Sequence, residues 1–341
     1  MKPKLKDLAE KSGYSITTVS RALAGYSDVS PKTRERILQI ATQLGYEPNS
    51  LGQQLRLQET RTIGMIIPAN DESFSNDFFT QLMMGVGNMA SLHRYDLLIS
   101  AQSTGEEEMQ AYRRMVGGRR ADGMILARTR RSDPRIVYLK SQQYPFAVSG
   151  RAAPDEQTDF PYIDVDSQAG IRMLVEHFVS LGHRHIGLIL PPPELAFTDY
   201  RHAGYLEGLE KAGIIYRPDY VVHGNLLRSG GYYGTSQLLD ENPEITAVIA
   251  CNDLMALGAM SAIQGQGRRV GLDIAVAGFD DIPSAEYSHP TLTTIRQPIY
   301  EIGQRLVNML LSLIKGHPLE DNQILLTPTL MVRDSSGGKR V

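Results

Sequence analysis

Apolar residues in the first fifty positions recur at helical spacing. Leu5, Leu8 and Ala9 line one side of a short helix that Gly13 ends. Ser15 then offers an N-cap for a second helix, 16–24, closed by Gly25. A third opens at Ser30-Pro31, a cap followed by proline at the first helical position, where a missing N–H costs nothing. Its apolar face is Ile37, Ile40, Ala41 and Leu44, and Gly45 ends it. Three short helices with a tight turn between the first two predict a helix-turn-helix unit over 1–46. Residues 46–61 are polar, with a helical pattern at Leu51 and Leu55 after Pro48-Asn49; on composition alone this is equally a linker.

From Thr62 the pattern changes. Apolar runs at 62–68, 95–101, 122–128, 146–150 and 162–166 alternate with helical stretches, and the alternation restarts with runs at 185–191, 220–224, 247–253 and 274–281. Near-continuous apolar strands separated by helices predict parallel sheets covered on both faces. Nine strands exceed one compact lobe, so residues 62–341 are expected to form two similar α/β lobes. Ligands of open α/β sheets bind beyond the carboxyl ends of the strands, which makes the cleft between lobes the expected site. Polar and aromatic residues gather at those ends: Asn70, Asp71, Phe74, Phe78 and Phe79 after the first strand, Arg128, Asp166, Asn252-Asp253 and Asp280-Asp281 at later ones. Arg201 opens a helix just past the sixth strand. Amides, carboxylates, arginine and aromatic faces together suit sugar hydroxyls and C–H faces. Taken singly, Asp71, Asp253 and Asp281 read better as helix caps or solvated loop residues.

Charge sharpens the division. The net charge is −3, yet residues 1–60 carry nine Lys and Arg against six Asp and Glu, leaving −6 on the remainder. A basic head on an acidic body is expected when one domain alone meets phosphates. A single cysteine, Cys251, excludes an intrachain disulfide framework and a zinc ribbon, and its apolar strand makes it a small buried hydrophobe. No apolar run approaches a membrane span, and the charged start MKPKLKDLAEKSG lacks a secretory apolar stretch, so a cytoplasmic protein is expected.

A helix-turn-helix places the start of its second helix in the major groove. The residues facing outward there are Ser15, Ile16, Thr17, Ser20 and Arg21, while Val19 and Leu23 face inward. Arg21 either pairs bidentately with guanine or clamps a phosphate. Ile16 offers only apolar contact, as to a thymine methyl. A small helical bundle for protein contacts is the plainer alternative.

The stretch KLKDLAEKSGYSITTVSRALAG, followed by VSPKTRERILQIATQLGYEPN, resembles the head of the LacI/GalR family of repressors. VSLGHRHIGLI, YRHAGYLEGL, CNDLMALGAM, VAGFDD and HPTLTTIRQP extend the resemblance nearly end to end. It implies an all-α helix-turn-helix head joined to a two-lobed, periplasmic-binding-protein-like α/β domain, with 47–61 as hinge. By that resemblance Ile16 and Thr17 read operator bases, Arg21 contacts a guanine, and Asn49 and Leu55 belong to a hinge that becomes helical on DNA. Leu55 would wedge into the minor groove and kink the duplex. Gly52 stands where relatives usually carry alanine, which costs such a helix up to ~1 kcal/mol. Arg201, Asn252 and Asp280 correspond to effector-contacting positions, as does Asp166, with Phe279 as an aromatic wall beside Asp280. Family effectors are mostly sugars, with some purines and nucleosides. The Phe74, Phe78 and Phe79 cluster favours a mono- or disaccharide, an α-glucoside among them.

The resemblance implies a homodimer on a pseudo-palindromic operator, no cofactor and no metal. Leu82, Met83, Val86 and Met89 form a stripe that suits either a dimer face or the core. No heptad tail for tetramerisation is seen. An exported sugar-binding protein would share the body but not the head. An enzyme is disfavoured: no GxSxG, HExxH or glycine-rich phosphate loop occurs, and His183 and His185 flank a turn without an evident third ligand. Release from DNA by the sugar is the expected sign of control; corepression is the alternative.

Overall fold

The computed structural model describes residues 3–46, 59–69 and 77–338, and the chain divides into two units, Met1–Arg61 and Thr62–Val341. The hinge positions Asn49, Gly52 and Leu55, and Asn70, Asp71 and Phe74 of the body, lie outside the described residues.

The first unit holds three helices, α1 (Leu5–Ser12), α2 (Ile16–Leu23) and α3 (Pro31–Leu44). Local chemistry sets their ends. The Ser15 hydroxyl accepts from the Thr18 N–H at 3.1 Å, and that of Ser30 from the Thr33 N–H at 3.2 Å. Gly13 and Gly45 close α1 and α3 in the left-handed conformation. Leu8, Val19 and Ile37, one from each helix, are fully buried against one another, and Leu23 packs on their edge.

In the body, the first sheet follows β1 (Thr62–Pro68), α4 (Asp77–Leu92), β2 (Asp96–Gln102), α5 (Glu106–Gly117), β3 (Gly123–Ala127), α6 (Pro134–Ser141), β4 (Phe146–Ser149) and β5 (Tyr162–Val165). The chain then crosses to a second lobe: α7 (Ser167–Ser180), β6 (Ile186–Leu190), α8 (Phe197–Lys211), β7 (Val221–His223), α9 (Arg228–Glu241), β8 (Ala247–Ala250), α10 (Asp253–Gly265), β9 (Ala275–Asp280), α11 (Pro283–Tyr287) and β10 (Thr293–Arg296). It returns through α12 (Ile299–Ile314) and β11 (Gln323–Leu326), and crosses once more into β12 (Thr329–Met331). The sheet orders are β11-β5-β4-β3-β1-β2 and β12-β10-β9-β8-β6-β7. All described pairings are parallel except β10 with β12.

Twelve described strands replace the nine read from sequence. The three missed are short: TTIR carries two threonines and a charged end, QILL alternates exposed with half-buried residues, and TLM is a three-residue edge. The lobes are also not consecutive halves, because α12 packs in the first lobe's core beside Ile63, Leu82 and Val86. Helices α4 and α12 meet at Gly85, where a Cβ would stand 2.1 Å from the Tyr300 carbonyl oxygen. Leu82 and Val86 are therefore core residues, and Met83 and Met89 pack half-buried against the same cluster. No described helix is long and apolar enough to cross a membrane.

Candidate functional site

The outer face of α2 assembles the residues expected to meet DNA. Ile16 is 49% exposed although apolar, and it shares a shallow surface depression with Thr17, Ser20 and Arg21. Ser15 is committed to its cap and also shares a hydrogen bond with the Thr18 hydroxyl at 2.9 Å, so it fixes the helix start rather than leaving a free hydroxyl. Arg21 pairs with Asp28 at 2.6 Å and lies over the Tyr26 ring at 4.8 Å. Tyr26 was not singled out from sequence; it sits in the loop after α2, where no periodicity marks a side chain's direction.

In the body, the cleft at the carboxyl ends of the strands is lined from both lobes by Phe78, Arg128, Asp164, Ser167, Arg201 and Asp280, together with Phe197, Asn252 and Gln297. It holds about 590 Å³ of empty space, including its opening to solvent. Arg201, on the first turns of α8, is buried. Its guanidinium lies between the rings of Phe197 (4.6 Å) and Phe279 (4.1 Å), donates to the Cys251 carbonyl, and leaves Nε without a partner. Asp280 ends β9 and accepts from Gln297 Nε2 at 2.6 Å. Burial pushes its carboxyl up to about 6 despite the opposing charges of Arg201 and Arg128. Arg128 lies over the Phe79 ring at 4.5 Å, and desolvation lowers its guanidinium to about 10. Both Arg128 (φ 54°) and Asp280 (φ 122°) adopt backbone conformations that side chains rarely take, which marks positions held by their surroundings.

Two expectations are corrected. Asp166 does not line the cleft: it is the N-cap of α7, accepting from the Ala169 N–H at 3.0 Å. The carboxylate reaching the cleft from this strand is Asp164. Ile163 and Val165 point into the core beneath α4 and α12, so the intervening residue faces the other way. Phe279 is fully buried, packing against Gly170 and beneath Arg201, so it supports the guanidinium instead of walling the cleft. Phe197 has the exposed aromatic place, and its spacing of one helical turn before Arg201 was the available signal. Asn252 lines the cleft, but its amide caps α10 through Met255 N (3.0 Å) and holds the Leu226 carbonyl (2.9 Å). Asp253 binds the Thr294 hydroxyl (2.5 Å) and the Ile282 N–H (2.9 Å), and Asp281 pairs with Arg296 and Arg333, each at 2.6 Å. His183 and His185 hydrogen-bond Thr246 and Tyr220.

Residues 4–49 match bacterial regulatory proteins of the lacI family, and residues 175–336 match a periplasmic binding protein-like domain. The chain is 32% identical to the HTH-type transcriptional regulator CelR of Thermobifida fusca, over 98% of each chain. It is 31% identical to the HTH-type transcriptional repressor CytR of Escherichia coli K12, over 97% of this chain and 96% of that one. Among solved structures, a CelR–cellobiose complex superposes with a TM-score of 0.77 at 31% identity, covering 98% of this chain and 99% of that one. The lac repressor dimer bound to operator and the anti-inducer ONPF gives 0.85 at 30% identity, covering 99% and 100%.

Proposed function

This chain belongs to the lacI family of bacterial regulatory proteins, and from that premise we propose a homodimeric repressor that a saccharide in the body's cleft releases from a pseudo-palindromic operator. The observation that carries the sugar reading is the cleft itself: an arginine clamped between aromatic rings, facing carboxylates from both lobes that burial keeps poised near neutrality. Carboxylates accept from sugar hydroxyls, guanidinium groups donate to them, and Phe78 and Phe197 offer faces to ring C–H groups. Cellobiose in the CelR complex makes a disaccharide the first class to test. Operator DNA as partner places the protein in the cytoplasm.

On DNA, Ile16 and Thr17 would meet base edges, with Ser15 fixing the helix start and Ser20 beside them. Arg21 would leave Asp28 to pair with guanine. Arg21→Ala is expected to cost about 1–3 kcal/mol in specific operator binding and to relax preference at one base pair. Competition binding against operators altered singly reads this out; a uniform loss across all sequences, with a shallower salt dependence, makes Arg21 a phosphate clamp instead.

Acidity gives a second test. Asp164 and Asp280 both stand near 6, raised above the ordinary carboxyl value first by burial. The unfolded chain gives up these protons first, so the sugar-free body loses stability as pH climbs from about 4 to about 6. Hydroxyl donors stabilise the charged carboxylates and lower both values on binding. Sugar affinity is therefore expected to rise through pH 6, with protons released. Calorimetry at pH 6 in buffers of different ionisation enthalpy measures this, and proton uptake would show that a carboxyl donates to the ligand.

A further inference from the structure

We infer that Asp164 and Ser167, backed by Arg151, form a second saccharide subsite in the cleft, which takes the other ring of a disaccharide whose first ring is held by Asp280, Arg128 and Arg201. This inference rests on the sugar reading above.

Asp164 lies deep in the first lobe at the end of β5, and Ser167 starts α7 just beyond the crossover. Ser167 is only 4% exposed, lines the cleft, and its hydroxyl has no hydrogen-bond partner. A buried hydroxyl left unpaired is costly, and a ligand hydroxyl at that point removes the cost. Arg151 Nε stands 3.1 Å from Asp164 Oδ2, yet its N–H makes no hydrogen bond there. The pair is thus held by charge, and the carboxylate keeps acceptor capacity for a donor in the cleft. Arg151 is fixed behind Asp164 by stacking on Tyr200, 3.7 Å from the ring centre, and is a positioning residue.

The arrangement repeats the one across the cleft. Asp280 has Arg128 as its nearby cation and Gln297 as its hydrogen-bonding neighbour; Asp164 has Arg151 and the unpaired Ser167. The charge of Arg201 acts on both carboxylates, so it stands between the two sets. A vicinal diol satisfies one carboxylate with its hydroxyl hydrogen and an adjacent cation or hydroxyl with its oxygen. Two such sets, contributed by different lobes, fit two linked rings. The space of about 590 Å³ falls within the range of sites that take ligands larger than one ring.

The test is calorimetric titration of the full-length protein with glucose, cellobiose, maltose and trehalose, for wild type, Asp164→Asn and Ser167→Ala. The wild type is expected to prefer one disaccharide over glucose at least tenfold, and each variant to shrink that preference, Asp164→Asn by tenfold or more. Asparagine keeps the shape of Asp164 without its buried charge, and Ser167→Ala provides an independent variant should the first unfold. A preference unchanged in both variants, or a wild type that binds glucose as tightly as any disaccharide, overturns the second subsite while leaving the sugar reading in place. A wild type that binds none of the four overturns both.

Discussion

Arg135→Ala is expected to lower the stability of the body by about 3–5 kcal/mol, because it strands buried carboxylates that arginine now neutralises. Arg135 is 3% exposed and grips Asp133 with two hydrogen bonds, Nε to Oδ1 at 2.9 Å and Nη2 to Oδ2 at 2.6 Å. Burial works against charge on Asp133, yet this pairing holds its carboxyl below the ordinary value. Glu108, also buried, takes Arg130 bidentately at 2.7 and 3.1 Å. The network reaches the cleft, since Arg135 Nη2 donates to the Arg128 carbonyl at 2.8 Å and so fixes the left-handed turn that aims Arg128. Breaking it should lower both the melting temperature, by roughly 10 °C, and sugar affinity. Arg135→Lys keeps a charge but loses the fork, and should fall between the two. Differential scanning calorimetry measures the first effect; a shift within one or two degrees would mean that the network is replaceable by simple repacking.

Arg201→Ala should weaken sugar binding by two orders of magnitude or more while sugar-free operator binding persists. The side chain supplies donors to the ligand, charge to Asp164 and Asp280, and the plate on which Phe197 and Phe279 stack. Its loss pushes both carboxyls further towards the neutral form, so hydroxyl acceptors disappear along with the donor. Lysine should not restore affinity, because a point charge reproduces neither the fork nor the stacking. A variant that still releases operator at wild-type sugar concentrations would place the effector elsewhere.

Local chemistry was the most legible part of the sequence. The caps Ser15 and Ser30 and the stops Gly13 and Gly45 stand where the residues indicated, since each depends only on neighbours within a turn. The long apolar strands were legible because parallel sheets bury both faces. Three features depend on partners distant in sequence and were not. The return of α12 to the first lobe is set by its close approach to Gly85. The short strands at 293–296, 323–326 and 329–331 are defined by the neighbours they pair with, not by their own composition. At the cleft, Arg128, Arg201 and Asp280 were found by their place at strand and helix ends. Asp164 was passed over for Asp166, because deciding between adjacent strand-end residues requires knowing where the strand stops and the helix begins. Phe197 was passed over for Phe279 because neither burial nor stacking on an arginine can be read from proximity to an aspartate.

The central claim is that sugar in the cleft and operator on the head are coupled. Linkage requires that a sugar which loosens the operator complex is itself bound more weakly by the operator-bound protein, by the same factor. The most direct measurement is operator affinity by fluorescence anisotropy, on a duplex selected with the protein itself, with and without the saccharide that binds most tightly in calorimetry. A loss of operator affinity in the range of 5- to 150-fold, typical of such coupling, is the predicted result. A saccharide that binds the cleft yet leaves operator affinity unchanged would contradict the account.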